Sequence, residues 1–255
     1  MAAVKTFENA FITGASSGIG RALAERLGRR GTHVIAAARR QAELQTLVES
    51  IRSEGGQADL CVLDVGQSDE VWEAVRRWER ETGGLDLVIA NAGVGKTKPA
   101  HKLAWEDVEP ILRVNVVGAF ATLMAGMEGM VARGRGTLVG VSSLAAMRGL
   151  PKSGAYAASK AALATFLETL RTDLHRKGIR VVDVRPGFVD TPMTKVNNFK
   201  MPFLIDVDRA ADVTMRGIER GEAIVSYPWP TASTMSLAQS MPDAAWRAIA
   251  RWIRF

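Results

Sequence analysis

Phe11-Ile12-Thr13-Gly14-Ala15-Ser16-Ser17-Gly18-Ile19-Gly20 decides the fold of this chain. Three β-prone residues run into a turn with three glycines, and the helical period that follows, Ile19–Arg30, begins inside that turn. Glycines after a strand let the backbone turn tightly and come close to a pyrophosphate, while the next helix offers free N–H groups and the positive end of its dipole. A glycine turn alone is a weak signal, since any strand–helix joint resembles it. Its place between a first strand and a first helix strengthens it. The glycine spacing is GxxxGxG rather than the GxGxxG of many dinucleotide-binding folds.

Outward from this turn, short β-rich apolar runs alternate with longer helical ones. The strand-like runs are Ala10–Thr13, His33–Ala38, Leu60–Asp64, Leu85–Ala90, Gly136–Ser142, Arg180–Arg185 and Ala223–Ser226. Between them lie Gln41–Glu54, Glu70–Glu81, Trp105–Ala132, Tyr156–Arg176 and Val207–Arg220, with glycine at most joints. The alternation predicts an α/β fold: a single Rossmann-like, doubly wound domain with a seven-stranded parallel sheet and helices on both faces. No linker or repeat interrupts it. Residues 1–227 form the expected nucleotide-binding and catalytic domain, and 228–255 a C-terminal helical extension of it.

Composition bounds the function. The chain has 255 residues, 47% hydrophobic and 24% charged, enough to bury one large core. Its net charge of +6 is spread along the sequence without a basic block, which argues against a nucleic-acid partner. No apolar run reaches the length of a bilayer span, and Met1 to Phe7 lacks a signal-peptide core. One cysteine, Cys61, allows no disulfide framework and fits a reducing, cytoplasmic setting. His33, His101 and His175 lack metal-ligand spacing, so no metal is expected, and no Gly-x-Ser-x-Gly elbow supports hydrolysis.

Further landmarks stand in register. Asp64-Val65 follows the third strand and Asn91-Ala92-Gly93 the fourth, with Asn115 in the long helix, then Ser143, Tyr156 with Lys160, and Pro186-Gly187. With Thr13 and the GxxxGxG turn, this ordered set resembles the short-chain dehydrogenase/reductase family over roughly residues 7 to 220. The resemblance implies that Gly14, Ser16, Ser17, Gly18, Ile19 and Gly20 cradle the pyrophosphate. It places Asp64 and Val65 beside the adenine, and Asn91, Ala92 and Gly93 along the cofactor cleft. Pro186, Gly187, Val189 and Thr191 would hold the carboxamide end. It also implies a homo-oligomer, dimer or tetramer, built through the long helices.

The second strand ends Ala36-Ala37-Ala38-Arg39-Arg40. NAD-binding folds usually carry an acid near this point, about 20 residues past the glycines, to accept from the ribose 2′-hydroxyl. Ala38 removes it, and Arg39 and Arg40 supply guanidinium groups suited to the 2′-phosphate of NADP(H). The alternative is a solvated arginine pair at a helix start.

Tyr156 and Lys160 are four residues apart on a predicted helix, hence on one face. A free phenol has a pKa near 10. A neighbouring ammonium and a cationic nicotinamide would lower it toward the working range. By resemblance, Ser143 hydrogen-bonds the substrate oxygen, Lys160 also holds the nicotinamide ribose, and Asn115 keeps a water that relays protons. Ser142 is the competing serine, read as a strand-end residue bonding backbone. Asn115 also reads as a buried amide bracing a strand. Together Asn115, Ser143, Tyr156 and Lys160 imply NADP(H)-dependent carbonyl/alcohol interconversion with Tyr156 as acid/base. The other reading is a non-catalytic NADP(H)-sensing regulator.

Two regions bear on the substrate. Phe188–Ile205 carries Met193, Phe199, Met201, Phe203 and Leu204, which suits an apolar small molecule. From Pro242 a short amphipathic helix is expected, with Arg247, Arg251 and Arg254 on one stripe and Trp246, Ile249 and Ile253 on an apolar one that Trp252 and Phe255 widen. It would close the pocket or pack on a partner subunit. The second reading has 242–255 lying on an anionic membrane, a peripheral contact on its inner face.

Overall fold

The computed structural model describes residues 7–197 and 199–250. Seven strands form one parallel sheet in the order β3-β2-β1-β4-β5-β6-β7. They are β1 (Asn9–Thr13), β2 (His33–Ala38), β3 (Gln57–Val62), β4 (Leu87–Ala90), β5 (Gly136–Val141), β6 (Ile179–Pro186) and β7 (Ile224–Tyr227). The helices are α1 (Gly18–Arg29), α2 (Gln41–Ser53), α3 (Ser68–Glu81), α4 (Trp105–Leu112), α5 (Ala119–Arg133), α6 (Gly154–Leu174), α7 (Pro192–Lys195), α8 (Val207–Arg220), α9 (Trp229–Ser240) and α10 (Asp243–Ala250). This is the doubly wound architecture expected.

Alternation along each strand builds two cores. Ala10 and Ile12 of β1 join α1, α2 and α8 on one face, whereas Phe11 joins α3, α5 and α6 on the other. Strand order reverses between β1 and β4, so the connections leave in opposite directions and open a crevice at the carboxyl ends of those strands.

Three differences from expectation go beyond a shift of one or two residues at the end of an element. β3 starts at Gln57, before the predicted Leu60, because His33 to Ala38 pair with Gln57 to Val62 in register. At a sheet edge, polar residues tolerate strand structure: Asp59 takes bonds from Arg52 and His33 there. The expected helix Trp105–Ala132 is divided by a π-helical turn, Arg113–Gly118, just after Pro110. This wider turn carries Asn115 into the interior. The whole run Trp105–Arg133 is long and apolar enough to cross a bilayer, but half of its most apolar window is buried inside the fold. α9 falls within the helical extension expected over 228–255, but it has no apolar stripe and only Ala238 in it is buried.

Candidate active site

A cleft of about 400 Å³ lies at the switch point. Gly14, Ser16, Ser17, Gly18, Ile19, Arg39, Arg40, Asp64, Val65, Asn91, Ala92, Gly93, Tyr156, Lys160, Pro186, Gly187, Val189 and Thr191 line it. Gly20, Asn115 and Ser143 are not part of that lining.

At one end, β1 runs into the glycine turn. Gly14 has φ +69°, and a Cβ there would fall 2.8 Å from the Ala92 α-carbon. The turn is therefore pressed against the loop after β4. Asn91 holds this contact, donating to the Thr13 and Gly14 carbonyls at 3.0 and 3.2 Å. The Thr13 hydroxyl in turn accepts from the Asn91 and Ala92 amides. Gly20 does not face the cleft; a side chain there would collide with Asn91 Nδ2 and the Gly14 carbonyl. Gly20 therefore packs the start of α1 against the loop after β4.

No side chain caps α1 and no acid occupies its first turn, so its N-terminus opens to the cleft. The Ser17 hydroxyl instead accepts from Arg40 at 2.8 Å, as does that of Ser16. Arg40 is thus fixed beside the glycine turn by two hydroxyls. Arg39 is largely exposed, 4.0 Å from Asp64. The other Asp64 oxygen accepts from the Gly66 amide. Thr191 begins α7 in a reciprocal capping pair with Thr194, and the Gly187 amide is bound to Tyr227 O at 2.7 Å.

At the other end, Ser143 caps the short 3₁₀ turn Leu144–Ala146, accepting from the Ala145 amide and donating to Pro186 O at 3.3 Å. The same hydroxyl acts on the Tyr156 phenol, favouring its ionised form. Lys160, one turn along α6, lies with Nζ 5.9 Å from the Tyr156 ring centroid and donates to Val141 O at 2.7 Å. Fully buried Asn115 accepts from the Val94 amide at 2.8 Å and donates to Val94 O and to Ser159 Oγ. The brace is therefore present, and it fixes the loop after β4 against α6.

Burial sets the electrostatics. It pushes the Tyr156 phenol above its ordinary value, against the pull of the Ser143 hydroxyl. The expectation that the ammonium lowers this phenol is not met by the protein's own groups, because burial outweighs them. Burial also brings Lys160 down to about 8, partly offset by Asp183.

Sequence reading missed several participants. Leu63, Val94 and Val114 add apolar lining, beside Met193 of the expected substrate segment. Gly95 lies so close to Tyr156 that a Cβ there would sit 3.2 Å from the ring. Ser142 bonds the backbone of Val184 through its own amide, while its hydroxyl donates to the buried carboxylate of Asp183 and lies 3.3 Å from Val184 O. An acid in the middle of an apolar strand was the signal for that pair. The expected tail helix forms at Asp243–Ala250, with Trp246 turned inward and Ile249 exposed. Arg251, Trp252, Ile253, Arg254 and Phe255 lie outside the described residues. No group of three or more His, Cys, Asp or Glu among the described residues is placed to hold a metal.

A switch-point cleft with a glycine turn at one end and Ser143, Tyr156 and Lys160 at the other defines a nucleotide-binding oxidoreductase of the Rossmann class. Residues 8–201 match the short chain dehydrogenase family, and the chain belongs to it. An uncharacterized oxidoreductase of Myxococcus xanthus is 48% identical over 249 residues, 98% of each chain. The 3-oxoacyl-acyl-carrier-protein reductase of Thermotoga maritima is 34% identical across 72% of this chain and 75% of its own. Among solved structures, a short-chain dehydrogenase from Sphingobium yanoikuyae in complex with NADPH superposes with a TM-score of 0.82. It is 26% identical, covering 97% of this chain and 96% of that one.

Proposed function

We propose that this protein is an NADP(H)-dependent oxidoreductase that interconverts a ketone or aldehyde with its alcohol, on an apolar substrate, with Tyr156 as general acid/base. The observation that carries this reading is the placing of Tyr156 and Lys160, one turn apart on α6, in the lining of the same switch-point cleft as the Gly14 turn and Arg40.

The residues fit the dinucleotide. The tight Gly14 turn and the uncapped start of α1 suit a pyrophosphate. Arg40, held by Ser16 and Ser17, suits a 2′-phosphate, and Ala38 offers no acid to repel it. When bound, the dinucleotide supplies or accepts the hydride. Ser143 and Tyr156 orient and polarise the carbonyl oxygen by hydrogen bonding. Tyr156 then gives its proton to that oxygen, or takes one from the alcohol in reverse. A phenol held protonated by burial suits the reductive direction. Lys160 holds the ribose and places a cation by the phenol, while Asn115 fixes the wall opposite.

An apolar substrate is supported by Met193, Val196, Phe203 and Leu204, all exposed in the segment beside the cleft. Val117, Met124 and Val131, exposed along the π turn and α5, support a homo-oligomer. Purified protein should consume NADPH with a panel of apolar ketones and aldehydes, and Tyr156→Phe should lose nearly all of that rate. Equal absorbance decay in both proteins would sink the mechanism, and no decay in either would favour the sensor.

A further inference from the structure

Asp183 is fully buried in the middle of β6, and the chemistry above gives it no role. A carboxylate inside a sheet is costly, and a well-packed apolar residue usually serves stability as well or better. Here both oxygens are engaged: one accepts from Ser142 Oγ, the other from Arg185 Nε at 2.6 Å. The pair stands beside the tether of Lys160. Strands β5 and β6 pair Gly140 with Asp183 and Val141 with Val184, and Val141 O is the acceptor of the Lys160 ammonium. Ser142, the next residue, turns its hydroxyl from the cleft lining onto Asp183.

The surroundings of Lys160 leave few other charges to act on it. On its own helix it faces the Tyr156 ring. From the loop after β4 and the π turn come Gly93 and the neutral Asn115 amide, both close to one point near Nζ. From β5 comes the Val141 carbonyl, and from β6 come Asp183 and, on its other oxygen, Arg185. Asp183 is the acid whose charge opposes the effect of burial on Lys160.

We propose that Asp183, held in place by the Ser142 hydroxyl, is a positioning residue that keeps Lys160 cationic beside Tyr156. This rests on the reading of Lys160 as part of the reactive end. A cation enclosed by neutral groups would surrender its proton as pH rises; a carboxylate next to its tether delays that loss.

The test uses the full chain and Asp183→Asn, which keeps the shape and removes the charge. NADPH affinity is measured by fluorescence from about pH 6 to 10, together with kcat/KM for a ketone that is turned over. The alkaline loss of both should move to lower pH by about one unit, with the curves converging at the acid end. Ser142→Ala should move them in the same direction by less. A loss of equal size at every pH, or an unmoved alkaline limb, would overturn the proposal. If Asp183→Asn fails to fold, Ser142→Ala decides, and an unmoved limb there overturns it. Should the wild type show no Tyr156-dependent turnover, the oxidoreductase reading fails, while the binding profile still decides the role of Asp183.

Discussion

The Lys160 ammonium donates to the Val141 carbonyl at 2.7 Å, inside a fold that leaves it 4% exposed. One hydrogen bond does not replace hydration, so burial lowers this lysine to about 8. In the unfolded chain it titrates at an ordinary value of about 10.4. Between those values the unfolded state binds more protons, so the contribution of Lys160 to stability rises with pH through that window. Below it the charged group costs the fold its full penalty. Lys160→Met should therefore be more stable than the wild type at pH 7, by about 2 kcal/mol after the lost hydrogen bond. The difference should shrink as pH approaches 10. Urea unfolding at both pH values checks this, and a variant less stable at pH 7 would refute it.

Arg40 is fixed by Ser16 and Ser17, whereas Arg39 is exposed and 4.0 Å from Asp64. A pre-placed guanidinium binds a phosphate dianion through charge-assisted hydrogen bonds worth about 1.5–3 kcal/mol each. Arg40→Ala should weaken NADPH binding by roughly 10- to 100-fold and leave NADH nearly unchanged. Arg39→Ala should cost less. Fluorescence titration of both dinucleotides measures the ratio; equal losses for the two would remove Arg40 as the source of NADP preference.

Much of this architecture was legible because local rules and the global fold agree. Phe11-Ile12-Thr13 running into the glycine turn could be read alone, since strand, turn and helix each carry their own signal. The long helix could not. Pro110 and Asn115 mark where it changes, but apolar residues run on through the π turn and hide the break. β3 was misplaced because an edge strand tolerates Gln57 and Asp59. At the site, Tyr156 and Lys160 could be read from their register behind the glycine turn, Asn115 and Ser143, since a Tyr–Lys pair at this spacing is common by chance. Asp183 could not, because its partners Ser142 and Arg185 are set by strand pairing and alternation. The phenol was misread for a related reason: spacing shows which groups meet, not how much water they lose.

Gly14 is a tight point of the nucleotide end. Its φ of +69° disfavours any side chain, and an added methyl would lie 2.8 Å from backbone that cannot rotate away. Gly14→Ala should lower stability by about 1–3 kcal/mol and displace the loop carrying Asn91. NADPH affinity should fall with it, while a Gly149→Ala control, where nothing lies within 4 Å of the added methyl, should change neither. Thermal unfolding with and without NADPH separates the two effects. Unchanged affinity in Gly14→Ala would show that the turn is not the pyrophosphate cradle.

Trp246 links the C-terminal tail to the segment between Ser143 and Tyr156. Its indole N–H donates to Gly149 O at 3.3 Å, and the Arg148 guanidinium lies 5.8 Å from the ring centroid. Arg148 also reaches Asp243 at 3.4 Å, so α10 grips that loop by ring, hydrogen bond and charge. The nucleotide end lies on other loops, after β1, β2 and β4. Trp246→Ala should therefore raise KM for the carbonyl substrate several-fold while leaving the NADPH Kd close to wild type. Limited proteolysis should become faster within residues 147–153, because an exposed loop without its clamp opens more often. Steady-state kinetics at saturating NADPH, set beside a binding titration, separates the two ends. Equal effects on substrate KM and NADPH Kd would show that the tail supports the fold as a whole and does not shape the substrate side.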